Sequence, residues 1–192
     1  MILHVHDPSW ASEFGRLRSV YIATLGNLAC AIEHVGSTAI QQIAAKPILD
    51  IDIVIAGESD LPAVTKKLEK LGYWHNGNQG IPGREAFKRR DEKVPYTEEP
   101  ITWMNHHLYV CVRGSRELVR HILFRDYLNN DPEARAAYES IKKDIETRSN
   151  GDRKVYADLK EHEGICSAFV ERILKQAEQP PAGDVLKAAP EE

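Results

Sequence analysis

The sequence has 192 residues, of which 42% are hydrophobic and 28% charged, and its formal net charge is −4. This much apolar material builds a sizeable core and excludes a wholly disordered chain. No run approaches the roughly 18 apolar residues needed to span a bilayer, and the N-terminus lacks the pattern of a signal peptide. The mildly acidic balance argues against nucleic acid and anionic membranes as partners.

The three cysteines are widely scattered and have no metal-binding spacing: Cys30, Cys111 and Cys166. This usage is typical of a reduced compartment, so we expect a cytoplasmic protein.

The predicted elements describe a small mixed sheet flanked by helices, with a helical C-terminal third, which is an α+β fold. In chain order they are a helix from Pro8 to Leu28, a strand over 31–35, a short helix over 37–45, a strand over 48–55, a helix over 59–72, strands over 84–90 and 101–112, and three helices that begin near Leu118, Pro132 and Asp152. We expect a single domain over residues 1–177 and a disordered tail over 178–192, because the tail has no apolar face.

Two motifs in the first half carry the predicted chemistry, and the first is Gly36-Ser37. The pair follows a predicted strand and opens a predicted helix, where free N–H groups and the helix dipole favour a phosphate. Gly36 would let the backbone approach that phosphate closely, and the Ser37 hydroxyl adds a donor. The alternative is a turn glycine followed by a helix-capping serine.

The second motif is the acidic pair Asp50 and Asp52, which lie two apart in a strand and therefore on one face. If the carboxylates approach within about 5 Å, they repel by roughly 3 kcal/mol at an effective dielectric constant near 20. A divalent cation such as Mg²⁺ or Mn²⁺ would offset this repulsion. The alternative is a solvent-facing pair, or Asp50 paired with Lys46.

The two motifs together are similar to the signature of the DNA-polymerase-β-like nucleotidyltransferase superfamily. The resemblance implies that Gly36 and Ser37 hold the phosphates of a nucleotide and that Asp50 and Asp52 hold Mg²⁺. Further candidates for nucleotide binding are Thr38 and Lys46, and a wider basic patch, or else a solvated strand edge, would include Arg84, Lys88 and Arg90.

Enzymes of that superfamily bring a third carboxylate from a neighbouring strand. Alternate residues of the predicted strand over 102–112 share one face, and none is acidic: Trp103, Asn105, His107 and Tyr109. His107 is the best substitute, either as a metal ligand, which suits Mn²⁺ better than Mg²⁺, or as a general base. His106 faces the other way and is expected to be structural.

A closer resemblance is carried by the segments Glu33-His34-Val35-Gly36-Ser37-Thr38-Ala39-Ile40 and Ala44-Ala45-Lys46-Pro47-Ile48-Leu49-Asp50-Ile51. These, with Phe124-Arg125-Asp126-Tyr127-Leu128, resemble the GrpB family over about residues 5–175. The chain departs from the family pattern at Gln41-Gln42-Ile43, where the family usually has Pro-Gly-Leu.

The resemblance leaves three functions open, of which the third is an RNA- or antibiotic-modifying transferase, because related folds serve both. The first is a nucleoside triphosphate and divalent metal site, with Asp50, Asp52 and His107 as catalytic residues and nucleotidyl transfer to an unknown small-molecule or protein acceptor. The second is a non-catalytic binding or folding-assistance module, as suggested for GrpB domains fused to dephospho-CoA kinase. The missing third acid favours the second.

Overall fold

A computed structural model of the chain describes residues 2–162 and 164–178. Its helices are α1 Ser9–Leu25, α2 Leu61–Lys70, α3 Arg116–Asn130, α4 Pro132–Ser149, α5 Arg153–His162 and α6 Ile165–Ala177. Its strands are β1 Ala31–Val35, β2 Leu49–Ile55, β3 Tyr73–His75, β4 Arg84–Arg89 and β5 His106–Val112. The predicted α+β class, with a helical C-terminal third, is confirmed.

The five strands form one mixed sheet in the order β1-β2-β5-β4-β3. β2 and β5 are parallel, whereas the other neighbouring pairs are antiparallel. The register places Asp50 of β2 between Val35 of β1 and His107 of β5. The acidic pair therefore lies on an interior strand of the sheet, between β1 and β5.

One face of the sheet is the main hydrophobic core, because every second residue of β2 is apolar. Ile51, Ile53 and Ile55 are fully buried there, against Leu17 and Tyr21 of α1. Each such isoleucine contributes about 1.5–3 kcal/mol through removal of apolar area from water. The core thus fixes which face of β2 is left for Asp50 and Asp52.

The opposite face is covered in part by α3, whose Leu118 packs with Val54 and Cys111. The C-terminal helices pack on α3 through a second cluster, in which Phe169 of α6 stacks on Tyr138 of α4. This arrangement places helix side chains directly above the acidic pair.

The predicted short helix over 37–45 is wrong beyond its first turn, since only the 3₁₀ turn Ser37–Ala39 forms. Gln42 has a positive φ of 62°, which a continuing helix does not tolerate. Ala45 instead pairs with His4 in an isolated bridge, and Ile40 and Ile43 are buried against the C-terminal helices. The expected helix dipole at Gly36-Ser37 is therefore not available.

Other boundaries also differ from the prediction. The last predicted helix is two helices, because Gly164 adopts a left-handed φ of 68° between α5 and α6. β5 begins at His106 rather than near 101, and β3 was not predicted. The predicted tail, apart from Glu178, lies outside the described residues. In residues 2–162 and 164–178, none of the helices combines the length and apolar character that crossing a membrane requires.

Candidate functional site

The Gly36-Ser37 bend lies directly against Asp50. Val35 pairs with Asp50, so the chain turns immediately beside that carboxylate. Gly36 has a φ of 70°, and a Cβ added there would lie 2.2 Å from Asp50 Oδ2. Only glycine permits this approach, because any side chain would collide with the carboxylate and strain the backbone. The structure thus brings the two sequence motifs into contact.

The bend also leaves polar groups at its surface. The hydrogen bond that closes the turn runs from the Ala39 amide to the Gly36 carbonyl. The amide of Ser37, a residue of the cavity wall, is not used by that bond. Backbone amides at a bend beside a cavity are donors for an anion even without a helix behind them.

Asp50 is also hydrogen-bonded to His107. The two residues are register partners on parallel strands, and His107 Nδ1 lies 3.1 Å from Asp50 Oδ1. A carboxylate accepts only, so the Nδ1 proton is assigned to His107 and Nε2 is the nitrogen left to accept one. Both side chains are partly exposed, which keeps the pair open to a ligand.

Asp52 lies on the same face, but it is fully buried, with 0% of its surface exposed. His121 of α3 donates from Nδ1 to Asp52 Oδ2 over 2.7 Å. Asp52 Oδ1 is buried without a hydrogen-bond partner. A buried carboxylate oxygen of this kind costs free energy unless a cation or donor satisfies it.

His121 is held between two carboxylates, because its Nε2 lies 3.3 Å from Glu117 Oε1. Burial lowers the pKa of His121, but the hydrogen bonds to Asp52 and Glu117 outweigh it and raise the pKa to about 9. The imidazole is therefore a cation at neutral pH and donates from both nitrogens. It supplies the positive charge that the buried Asp52 needs.

A cavity of about 500 Å³ opens beside these groups. It lies between the Gly36-Ser37 bend and helices α3 to α6, and its polar wall includes the described residues Gly36, Ser37, Asp50, Glu117, Arg120, His121, Lys160 and Glu171. Arg120 donates to Glu171 over 2.7 Å, and Lys160 is a further cation of the wall beside His121. A cavity of this size accepts a small molecule. Its wall pairs three cationic side chains with three carboxylates, so it offers charged donors to an anionic group without a net positive charge.

Two sequence-predicted residues lie elsewhere. Thr38 is buried, and its hydroxyl donates to the Ile48 carbonyl and accepts from His34 Nε2. The Lys46 ammonium lies 4.1 Å from the centre of the Tyr156 ring. Neither residue is among the described residues that line the cavity.

The two neighbouring histidines are structural, as expected for His106. Burial lowers the pKa of His106 to about 3, and Tyr73 donates to its Nε2 over 2.6 Å. Burial lowers the pKa of His34 to about 4, and its ring stacks on Phe14. Both are neutral at pH 7.

The sequence reasoning missed the contribution of α3. Glu117 and His121 lie four apart, so they occupy one face of the helix. The available signal was this spacing in a helix that directly follows the strand of His107. Nothing in the sequence alone pairs that helix face with Asp52.

Comparison with known proteins matches residues 1–176 to the model of the family described as GrpB protein. The chain belongs to the GrpB family. A member described as glutamate-rich protein GrpB, from Alkalihalophilus pseudofirmus, is 30% identical over 177 residues, which are 92% of this chain and 95% of that protein. The crystal structure of GrpB from Enterococcus faecalis superposes with a TM-score of 0.72 at 25% identity, over 92% of this chain and 96% of that one.

Other relatives are larger proteins. A dephospho-CoA kinase from Mycolicibacterium paratuberculosis is 27% identical over 170 residues, which are 81% of this chain and 42% of the kinase. A weaker likeness, with a TM-score of 0.48 at 10% identity, joins 76% of this chain to 43% of the Cid1 poly(U) polymerase. That superposition is too loose to support an argument about activity.

Proposed function

We propose that this GrpB protein binds a nucleoside triphosphate together with a divalent cation at Asp50 and transfers its nucleotidyl group to an acceptor. The observation that carries the proposal is the contact between Asp50 and the Gly36-Ser37 bend in the wall of a cavity that Arg120 and Lys160 also line. Phosphates and a cation-binding carboxylate need to be neighbours, and the bend supports this because it brings candidate phosphate donors next to Asp50.

The triphosphate has donors on two sides of the cavity. The Ser37 hydroxyl and amide would supply one side, and Arg120 and Lys160 would supply the other. Arg120 reaches both Glu171 and Glu117, so its guanidinium is already oriented before a ligand arrives. Oriented donors of this kind stabilise phosphate charge without a further ordering cost.

The residues fit a divalent cation that enters with the nucleotide. Asp52 Oδ1 is an unpaired buried oxygen, and Asp50 offers a second carboxylate on the same face. Among the described residues, no group of three or more histidine, cysteine, aspartate or glutamate side chains forms a metal site. Mg²⁺ is commonly held by one or two carboxylates plus substrate phosphates, so Asp50, the carboxylate of the pair that lines the cavity, would hold it together with the phosphates. When bound, the cation would neutralise charge on the phosphates.

His107 is placed to accept the acceptor's proton. In the transfer, an acceptor oxygen forms a bond to the α-phosphorus, and the bond from that phosphorus to the bridging oxygen breaks, so that pyrophosphate leaves. The proton of the acceptor hydroxyl passes to His107 Nε2, while Asp50 holds the ring through Nδ1. A base oriented by a carboxylate is a recurring arrangement in catalysis.

The experiment is a calorimetric titration of ATP and CTP in the presence of Mg²⁺ or Mn²⁺. We expect binding to wild type and at least roughly tenfold weaker binding to Asp50→Asn, since a charge-assisted contact is lost. Asp158→Asn, an exposed change on α5, is the matched control and retains wild-type affinity. Equal affinity of wild type and Asp50→Asn would refute the role of this carboxylate. A screen of acceptors for released pyrophosphate then tests transfer.

The second candidate function is a folding-assistance module, and the kinase relatives favour it. This chain covers 42% of the dephospho-CoA kinases of both Mycolicibacterium paratuberculosis and Mycobacterium leprae. Co-expression with a dephospho-CoA kinase that lacks such a region separates the two functions. A gain in soluble kinase that Asp50→Asn leaves intact, without nucleotide binding, supports the module and contradicts the transferase.

A further inference from the structure

A second cavity of about 520 Å³ lies on the same face of the sheet as the acidic pair. The strand register shows this directly. Trp74 pairs with Lys88, and two residues along β4, Ala86 pairs with Tyr109. Since strand partners share a face, these side chains continue the row that starts at Asp50 and His107. The cavity therefore adjoins the proposed nucleotide site across β5.

The floor of this second cavity has an exposed aromatic platform. Trp74 is 41% exposed, whereas Trp10 and Trp103 are 3% and 5% exposed. Lys88 is exposed beside Trp74 on the adjacent strand, and the small side chain of Ala86 gives the floor its depth. An open indole next to an ammonium group is suited to a planar ring that carries an anion.

The rim does not cancel that charge. Asp91 lines the cavity, but its carboxylate accepts from the Tyr96 hydroxyl over 2.8 Å and from the Lys93 amide. Arg89 also lines the cavity and donates to Asn105. These partners are neutral, so Asp91 and Arg89 keep opposite charges that offset each other, and Lys88 leaves the charged side chains of this lining with a net positive charge.

His107 joins the two cavities. It lines the second cavity, and its Nδ1 is bonded to Asp50, which lines the first. A molecule in the second cavity therefore has its reactive group within reach of the same imidazole that Asp50 orients. This is the placement that an acceptor needs beside a bound triphosphate.

We propose that the second cavity is the acceptor subsite and takes a small anionic molecule with a planar ring, of the nucleoside monophosphate class. The ring stacks on Trp74, the anion pairs with Lys88, and a hydroxyl points toward His107. This inference rests on the proposed function, because it names the acceptor of the same transfer. The bonds made and broken are those already given for that step.

Adenosine 5′-monophosphate is the probe, and tryptophan fluorescence is the readout. Because Trp74 is the exposed tryptophan of the three, a ligand stacked on it quenches the accessible part of the emission. We expect saturable quenching by the probe. Calorimetry of the same titration then gives affinities for variants that lack the indole.

Four variants test the assignment. Trp74→Ala weakens binding of the probe roughly tenfold or more, which is the range for loss of one stacked base, and Trp74→Phe restores most of it. Lys88→Gln weakens binding several-fold, whereas Lys93→Gln, an exposed lysine that is not part of the cavity lining, has no effect. Trp74 lies on an edge strand and is exposed, so its replacement leaves the core intact.

Binding of ATP with Mg²⁺ distinguishes this inference from the proposed function. Trp74→Ala and Lys88→Gln leave that binding unchanged, and saturating ATP with Mg²⁺ does not displace the probe. Competition between the two ligands, insensitivity to Trp74→Ala, or no binding of the probe at millimolar concentration would overturn the acceptor subsite. Binding of the probe by a protein that never binds ATP would refute the proposed transfer and support the second cavity as a ligand site.

Discussion

Replacing Lys142 with methionine tests how the helical third is fastened to the candidate site. Lys142 of α4 is 2% exposed, and its ammonium donates to the carbonyl of Ala44, while the Ala44 amide donates to Glu139 of the same helix. Ala44 lies in the segment between the Gly36-Ser37 bend and β2. Helix α4 therefore binds this segment through both the backbone amide and the backbone carbonyl of Ala44.

The size of the expected change in the free energy of unfolding follows from the pKa of Lys142. Burial, with nearby Lys160, lowers that pKa from 10.5 to about 7. The unfolded chain binds the proton more tightly, so the free energy of unfolding rises with pH between about 7 and 10.5. The full difference corresponds to about 5 kcal/mol at roughly 1.4 kcal/mol per pH unit. Between pH 7 and about 9.5, the rise due to this lysine is roughly 3 kcal/mol.

Methionine has a volume similar to that of lysine and does not titrate, so the Lys142→Met variant lacks this rise in the free energy of unfolding. We expect the stability of wild type relative to the variant to increase by roughly 3 kcal/mol from pH 7 to about pH 9.5. Urea unfolding followed by circular dichroism at the two pH values measures it. Lys154→Met, an exposed change on α5, controls for other groups that titrate in this range. A difference between wild type and Lys142→Met that does not change with pH would refute the reasoning.

Three further predictions concern the site and the core. Gly36→Ala lowers the free energy of unfolding in urea by about 2 kcal/mol and weakens binding of ATP with Mg²⁺, because the added Cβ collides with Asp50 at a positive φ. Wild-type affinity of this variant for ATP with Mg²⁺ would contradict the contact. His121→Gln leaves the buried Asp52 without a counter-charge and costs about 3–5 kcal/mol; an unchanged urea midpoint would exclude the ion pair. Burial lowers the pKa of His106 to about 3, so the free energy of unfolding of wild type falls as pH drops from about 6.5 toward 3. We expect a shallower fall for His106→Asn in urea unfolding measured over this pH range. Parallel curves for the two proteins would argue against a neutral buried imidazole.

The part of the site formed by the Gly36 bend, Asp50 and Asp52 was predictable because the sequence patterns that indicate it are periodic and short in range. Alternation along β2 separates the isoleucines from Asp50 and Asp52, and a glycine directly after β1 marks the bend. Pairing of β1 with β2 then brings bend and carboxylate together. An antiparallel neighbour and a period of two are enough to derive that contact.

The helical half was not predictable because its contacts are long in range. His121 and Asp52 are 69 positions apart, and their meeting depends on how α3 crosses the sheet after β5. The helix expected over 37–45 failed for a related reason. Ile40 and Ile43 have helical spacing, but they are buried against Leu128 of α3, and the segment between them forms a turn instead of a helix. Tertiary packing there overrides a weak local preference.

Asp50 and Asp52 form one motif in the sequence, but they differ in burial and in the groups that they contact. Asp52 is fully buried and its charge is balanced within the protein by His121, so folding does not depend on a cation from outside. Asp50 is partly exposed at the cavity, with the Gly36 bend on one side and His107 on the other. Its carboxylate therefore lies at the cavity surface rather than in the core. A third acid, Glu117, is present at the cavity, but it acts on Asp52 through His121 rather than from a neighbouring strand. An internal cation, His121, therefore offsets part of the repulsion between the two carboxylates. In a triad of acids, metal ions offset that repulsion instead.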